Sequence, residues 1–306
     1  MTHLALMWHT PAHKQILTSI NNEFRTRVID AIKYNKLSLP PIPEVVLRIH
    51  KICQDEDSAI RDIADALVDD PSLTASVIRA ANSVVFSPLN VTCHDIITAV
   101  SRLGMYRVRD IVTAQAIEEL KRSAEFSTEC NKLLEISANQ SRLLAGATTL
   151  VCNGIIKHSD EKTTLEPEKA LLACLLADIG LFSLIKEYQL YLEDGNFLDF
   201  NIAKEVFAQG CNKASILVLK HWGFDNDYLE VASNSYLSTK KEGETRYVDL
   251  ARMANHLLLF RNQDDNYFEH EVELDLAGAE AMYELSNLSN QEFKSQIQEI
   301  IRNSGL

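Results

Sequence analysis

Leu39-Pro40-Pro41-Ile42-Pro43 opens a run that continues to Leu120, in which punctuated helical segments follow one another with no alternating strand pattern. Prolines fix φ and bias each preceding residue toward extended geometry, so the opening is a stiff strap, with Pro43 expected as the first residue of a helix. That helix carries Val45, Val46, Ile49 and Ile52 on one face. After the polar turn Gln54-Asp55-Glu56-Asp57-Ser58, Ser58 is expected to cap a second helix striped by Ile60, Ile63, Ala64 and Leu67. Asp69-Asp70-Pro71-Ser72-Leu73-Thr74 restarts the pattern, with Asp70 as N-cap and Pro71 at the first helical position. Arg79-Ala80-Ala81-Asn82-Ser83 closes that helix on a polar pair, Asn82 and Ser83. Asp95 to Leu103 and Met105 to Leu120 read as two more helices, separated by Gly104 at a C′ position.

Four ordered blocks, Leu-Pro-Pro-Ile-Pro at 39–43, Asp-Asp-Pro-Ser-Leu-Thr at 69–74, Arg-Ala-Ala-Asn-Ser at 79–83 and Ala-Val-Ser-Arg-Leu-Gly at 99–104, resemble the HDOD domain family of bacterial signalling proteins. The resemblance is close to Leu120 and thinner to Val231, roughly two thirds of the chain. It implies an all-α, multi-helix, two-lobed bundle related to HD-type metal phosphohydrolases, usually stripped of metal ligands and used in regulation. The expected division is an N-terminal helical extension at 1–36, an HDOD domain at 37–240 and C-terminal helices at 241–306 packed on the HD-like lobe. Within the HDOD domain, lobe one is expected at 37–122 and the HD-like lobe at 123–240. The motif residues Pro40, Pro43, Asp70, Pro71, Asn82, Ser83 and Gly104 are expected to set starts and stops of helices.

Composition narrows the function classes. The 306 residues are 46% hydrophobic, with ten glycines and seven prolines, enough for a sizeable core. No apolar run approaches the roughly 18 residues of a membrane span, and the N-terminus lacks the basic start and long apolar stretch of a signal peptide, so the expected location is the cytoplasm. Six scattered cysteines, with no Cys-x-x-Cys pair, point to buried small hydrophobes and away from a zinc cluster. A net charge of −13 argues against nucleic acid as a partner. Arg102, Arg107, Arg109, Lys121 and Arg122 form the densest basic group, expected mainly as a solvated helix face. No phosphate-cradling glycine loop or Gly-x-Ser-x-Gly elbow is present.

Outside the central run, Lys14 to Lys36 reads as one amphipathic helix carrying Ile16, Leu17, Ile20, Phe24, Val28, Ile29 and Ile32. Ahead of it, His3, His9 and His13 lack a ligand spacing. A long helix with Leu133, Leu134, Ile136, Leu143, Leu144, Ala147 and Leu150 on its buried face is expected to end at Gly154. Glu166-Pro167-Glu168 then opens a helix, Lys169 to Leu176, so apolar that it belongs at the centre.

The resemblance places the name-giving His-Asp pair of an HD enzyme at Ala177-Asp178. Adjacent His and Asp side chains offer a divalent ion two ligands at once and let it activate water for phosphoester attack; alanine offers none. The upstream histidine falls in Ser137-Ala138-Asn139-Gln140-Ser141, where Asn139 is the nearest candidate. The family's Gly-x-x-His turn reads Gly210-Cys211-Asn212-Lys213, putting a cation, Lys213, in place of an imidazole. Asp249 falls loosely where such enzymes supply a last carboxylate. Asp178 is therefore expected as a buried carboxylate accepting backbone N–H bonds near Gly180, and Asp249 as an N-cap. His221 is expected at a helix C-terminus ahead of Gly223, and His256 in a packing role near the degenerate pocket.

The leading reading is a non-catalytic regulatory module with no cofactor, binding a protein partner or a small signalling ligand. The alternative is a residual metal-dependent phosphohydrolase acting on a nucleotide or cyclic nucleotide through Asp178, Asp249 and His256 or His221. A third reading binds a nucleotide without turnover, with Lys213 and nearby arginines on its phosphates.

Overall fold

The computed structural model describes residues 22–82, 92–123, 126–159, 163–239, 241, 244–265, 267 and 272–304. Ser83, the first part of the Lys14 to Lys36 segment and the histidines His3, His9 and His13 lie outside the described residues. Among the described residues the regular structure is helical throughout, an all-α fold. In order come α1 (Glu23–Lys33), α2 (Glu44–Gln54), α3 (Ile60–Val68), α4 (Pro71–Ala81), α5 (Ile96–Leu103), α6 (Met105–Ser123) and α7 (Thr128–His158). They are followed by α8 (Pro167–Leu176), α9 (Gly180–Glu193), α10 (Phe200–His221), α11 (Asn226–Ser233), α12 (Tyr247–Arg261), α13 (Leu276–Asn287) and α14 (Asn290–Asn303). The chain divides into two compact units, one of 1–40 with 124–294, the other of 41–123 with 295–306. None of the described helices is long and apolar enough to cross a membrane.

In the smaller unit α2 to α6 close on a core of Val46, Ile49, Ile63, Leu67, Leu73, Val77, Val100, Val108 and Val112. Asp70 caps α4, its Oδ1 accepting the N–H groups of Ser72 and Leu73 at 3.0 Å each, with Pro71 at the first helical position. Pro43 is not that position for α2; it is the N-cap, with φ −55° and ψ 140°, and the helix starts at Glu44. Ser58 does not cap α3 either. Ala59 is the N-cap, and Asp62 reaches back from the third helical position to accept its N–H at 2.7 Å, the carboxylate half of a capping box.

Asn82 ends α4 and does more than stop it. Its Oδ1 accepts the Cys93 N–H at 2.7 Å and its Nδ2 donates to the Cys93 carbonyl at 2.8 Å, so one amide clamps a backbone segment 11 residues further on. Arg102 is no simple solvated cation, since its Nη1 donates to the Ala81 carbonyl at 2.8 Å and satisfies an orphan acceptor at the end of α4. Gly104 ends α5 with φ 81° and ψ 156°. That is not the left-handed helical turn expected of C′ but the extended positive-φ region, essentially restricted to glycine.

In the larger unit the 31-residue α7 is the spine, against which α8, α12 and α13 pack. Every residue of α8 from Ala170 to Leu176 is buried. Gly154 does not end α7, which runs on to His158. A Cβ there would stand 2.7 Å from the Ala281 Cβ, so glycine is present because α13 crosses at that point. On another side α1, α9 and α10 pack together around Phe24, whose ring lies 5.7 Å from Tyr188, 5.3 Å from Tyr191 and 6.2 Å from Phe207 between centroids. The helix α1 stops at Lys33, short of Lys36, because Asn35 turns left-handed with φ 52°. Lys36 N–H then closes on the Ala31 carbonyl at 2.8 Å and Asn35 N–H on Ile32 at 3.2 Å, a Schellman ending.

Candidate functional site

Asp178 sits in the tight Ala177–Ile179 turn between α8 and α9, 1% exposed. Ser137 Oγ donates to its Oδ2, and Ser141 Oγ donates to its Oδ1 at 3.0 Å. The two serines are four residues apart on α7, hence stacked on one face, and both are buried. The Gly180 N–H donates to Ser215 Oγ on α10 at 2.9 Å. Asn139, the candidate for the upstream ligand, is exposed and belongs to the other side of α7. Helical periodicity explains the correction: 137 and 141 share a face that 139 cannot share.

The turn is packed as tightly on its other side. A Cβ on Gly180 would stand 2.2 Å from the Ser215 nitrogen and 2.6 Å from the Ala214 carbonyl carbon, so glycine alone lets α9 begin against α10. Cys211 Sγ approaches the Asp178 carbonyl at 3.8 Å. The region where an HD enzyme would hold its ion is built here as a hydroxyl-lined knot of close-packed helices.

Asp249 is held elsewhere in the same unit by a different set of groups. It is the third residue of α12, not its N-cap. Its Oδ2 accepts the Arg246 N–H at 2.9 Å, its Oδ1 accepts the Tyr236 hydroxyl, and Arg252 lies 3.7 Å away. Arg252 also donates to the Asn234 side chain at 2.7 Å and backbone at 2.8 Å, while Arg246 pairs with the buried Glu230 at 3.0 Å. This network fastens the 234–239 segment to the start of α12.

The remaining candidates scatter. His221 is the exposed last residue of α10, followed by a Schellman ending in which Gly223 has φ 77° and Phe224 N–H bonds the Leu219 carbonyl at 3.0 Å. His256 stacks on Tyr267 with ring centroids 4.3 Å apart. Lys213 is exposed and, with Arg25, Val28, Ile29, Ile32, Lys33 and Val206 among others, lines a cavity of about 370 Å³ between α1 and α10. Among the described residues no group of three or more His, Cys, Asp and Glu is placed to hold a metal ion. The donor set does not fit a divalent ion: Ala177 supplies no ligand, and the oxygens of Asp178 and Asp249 are engaged by hydroxyl and N–H donors.

Ser137, Ser141, Ser215 and Tyr236 are the residues that sequence reasoning missed. The two α7 serines lay inside the segment searched for a histidine, and their spacing of four was the available signal.

The described residues form an all-helical fold whose buried aspartate turn is bound by serine hydroxyls. The sequence matches the family model described as the HDOD domain over residues 39–237, more than half its length, and the chain belongs to that family. No curated protein matches it. Among solved structures it is similar to a candidate metal-dependent phosphohydrolase from Shewanella amazonensis, with a TM-score of 0.69 at 21% identity over 96% of this chain and 99% of that one. It is also similar to an HDOD domain protein from Geobacter sulfurreducens, with a TM-score of 0.51 at 21% identity over 92% and 98%. A candidate signal transduction protein from Marinobacter aquaeolei gives 0.52 at 18% identity over 98% of this chain and 65% of that one. At these identities the likeness is one of fold.

Proposed function

We propose that the chain is a non-catalytic regulatory module that acts by binding a protein partner or a small signalling ligand. The observation that carries this reading is the engagement of both Asp178 carboxylate oxygens by Ser137 and Ser141. In a hydrolase that carboxylate would be presented to an ion; here a serine hydroxyl from α7 donates to each of its oxygens and α10 packs against the turn on the other side. Family membership and the likeness to a candidate signal transduction protein agree with a regulatory role. The likeness to a candidate metal-dependent phosphohydrolase favours the alternative, hydrolysis of a nucleotide or cyclic nucleotide phosphoester. Elemental analysis after exposure of the purified protein to manganese, nickel, iron and magnesium separates the two. The regulatory reading expects no stoichiometric ion. An ion bound one to one and lost on Asp178→Asn, together with phosphoester turnover, would replace it with the hydrolase reading.

A further inference from the structure

The cavity between α1 and α10 combines an apolar floor with a cationic rim. Val28 and Val206, both 1% exposed, form the floor with Ile29, Ile32 and Gly210. Ile29 is left 43% exposed at the mouth. Arg25, Lys33 and Lys213 surround this surface.

Charge makes the arrangement unusual within this chain. Acidic residues outnumber basic ones 43 to 30, so carboxylate partners are plentiful. Other cations find them: Arg27 pairs with Asp194 and Glu187, Lys157 with Glu284, Lys169 with Asp225 and Asp227, and Arg246 with Glu230 and Glu244. Among the described residues none of the three rim cations forms an ion pair with a carboxylate. Arg25 instead donates its Nε to the neutral Oε1 of Gln209 at 2.7 Å, which orients the guanidinium and leaves its charge uncompensated. The Lys33 ammonium lies over the Tyr34 ring, 5.2 Å from its centroid, a contact that leaves its charge unneutralised, and an anion at this rim gains charge-assisted hydrogen bonds from the cations that line it.

We propose that this cavity binds a small organic anion. Its apolar body lies against Val28, Ile29, Ile32 and Val206, and its carboxylate or phosphate head meets Arg25, Lys33 and Lys213. The volume, about 370 Å³, is at the small end for ligand sites. The inference rests on the binding-module reading and names the ligand class for it. It also gives Lys213 a task, on a face of α10 other than the one packed at Asp178.

The test titrates the full chain with octanoate, octyl phosphate and inorganic phosphate by isothermal calorimetry, at low and raised salt. One-to-one binding of octanoate or octyl phosphate is expected, weakened by salt, and the tighter of the two identifies the head group. Lys213→Glu and Lys33→Glu each weaken it tenfold or more, whereas Lys213→Arg stays within a few fold. Both lysines are exposed and, among the described residues, in no ion pair, so unliganded thermal midpoints close to wild type confirm that the variants fold. No binding of either amphiphile, or binding indifferent to both charge reversals, overturns the assignment. Inorganic phosphate binding as tightly as octyl phosphate overturns the apolar half of it. Either failure leaves the metal analysis of Asp178 unchanged, so the regulatory reading and the cavity assignment fail independently.

Discussion

Asp178 is buried with a serine hydroxyl on each carboxylate oxygen, and its energetics follow from those partners. A buried carboxylate that accepts from two hydroxyls loses those hydrogen bonds when either side is removed, in a place water does not reach. Asp178→Ala leaves Ser137 and Ser141 without their acceptor and opens a small void. The expected loss is about 2–4 kcal/mol in urea denaturation at unchanged m-value. Asp178→Asn keeps an oxygen for one hydroxyl and lets the other turn to accept from the amide, so its expected loss is about 1 kcal/mol. Wild-type stability in the alanine variant would contradict the structural role. At this scale local chemistry was legible from sequence: Asp70 with Pro71 marks a helix start through atoms at most three residues away. The partners of Asp178 were not, because they are 37 and 41 residues distant and chosen by how α7 is rotated.

Between elements, glycine serves two purposes that sequence alone does not separate. Gly104 is needed for its own backbone, with φ 81° and no atom within 4 Å of a hypothetical Cβ. Gly154 and Gly180 sit where another helix would collide with any side chain, and in sequence such a glycine looks the same as one that ends a helix. The reading of α8 as central needed no partner information, because an unbroken apolar run has no solvent face to offer. The crossing at Gly154 is testable by exchange. Gly154→Ala brings two Cβ atoms to 2.7 Å and forces α7 and α13 apart, costing about 1–3 kcal/mol despite alanine's better helix propensity. Ala281→Gly in the same chain removes the other methyl, and the double variant is expected to recover most of the loss. Equal losses for single and double variants would show that the methyl–methyl clash is not the cause.

Over the whole molecule the six cysteines share one setting: all are buried and none is in a disulfide. This matches their scattering through apolar helical stretches, and it has a consequence for pH. Burial pushes the Cys174 thiol from 9.0 up to about 12, against a weaker opposing bond to Thr148, and burial with the nearby Glu168 pushes Cys152 up to about 12. Burial also raises the Tyr247 phenol, although the Glu166 N–H bonded to its oxygen opposes the shift. For Lys169 burial alone would lower the ammonium's pKa, but bonds to Asp227 and Asp225 outweigh it and the net shift is upward. In each case the folded chain keeps a proton that the unfolded chain releases at the group's ordinary value. The unfolded state then binds fewer protons, so stability is fully present below pH 9, where the first of these groups ionises when unfolded, and falls as pH rises toward 12. Thermal midpoints under reducing conditions are therefore expected to change little from pH 7 to 8.5 and to drop steadily above about pH 9. Cys174→Ala, whatever its effect on stability at neutral pH, makes that decline shallower because one proton-retaining site is gone. A midpoint indifferent to pH up to about 11, or a decline in Cys174→Ala as steep as in wild type, would show that ionisation of the buried thiols does not limit the alkaline stability of this fold.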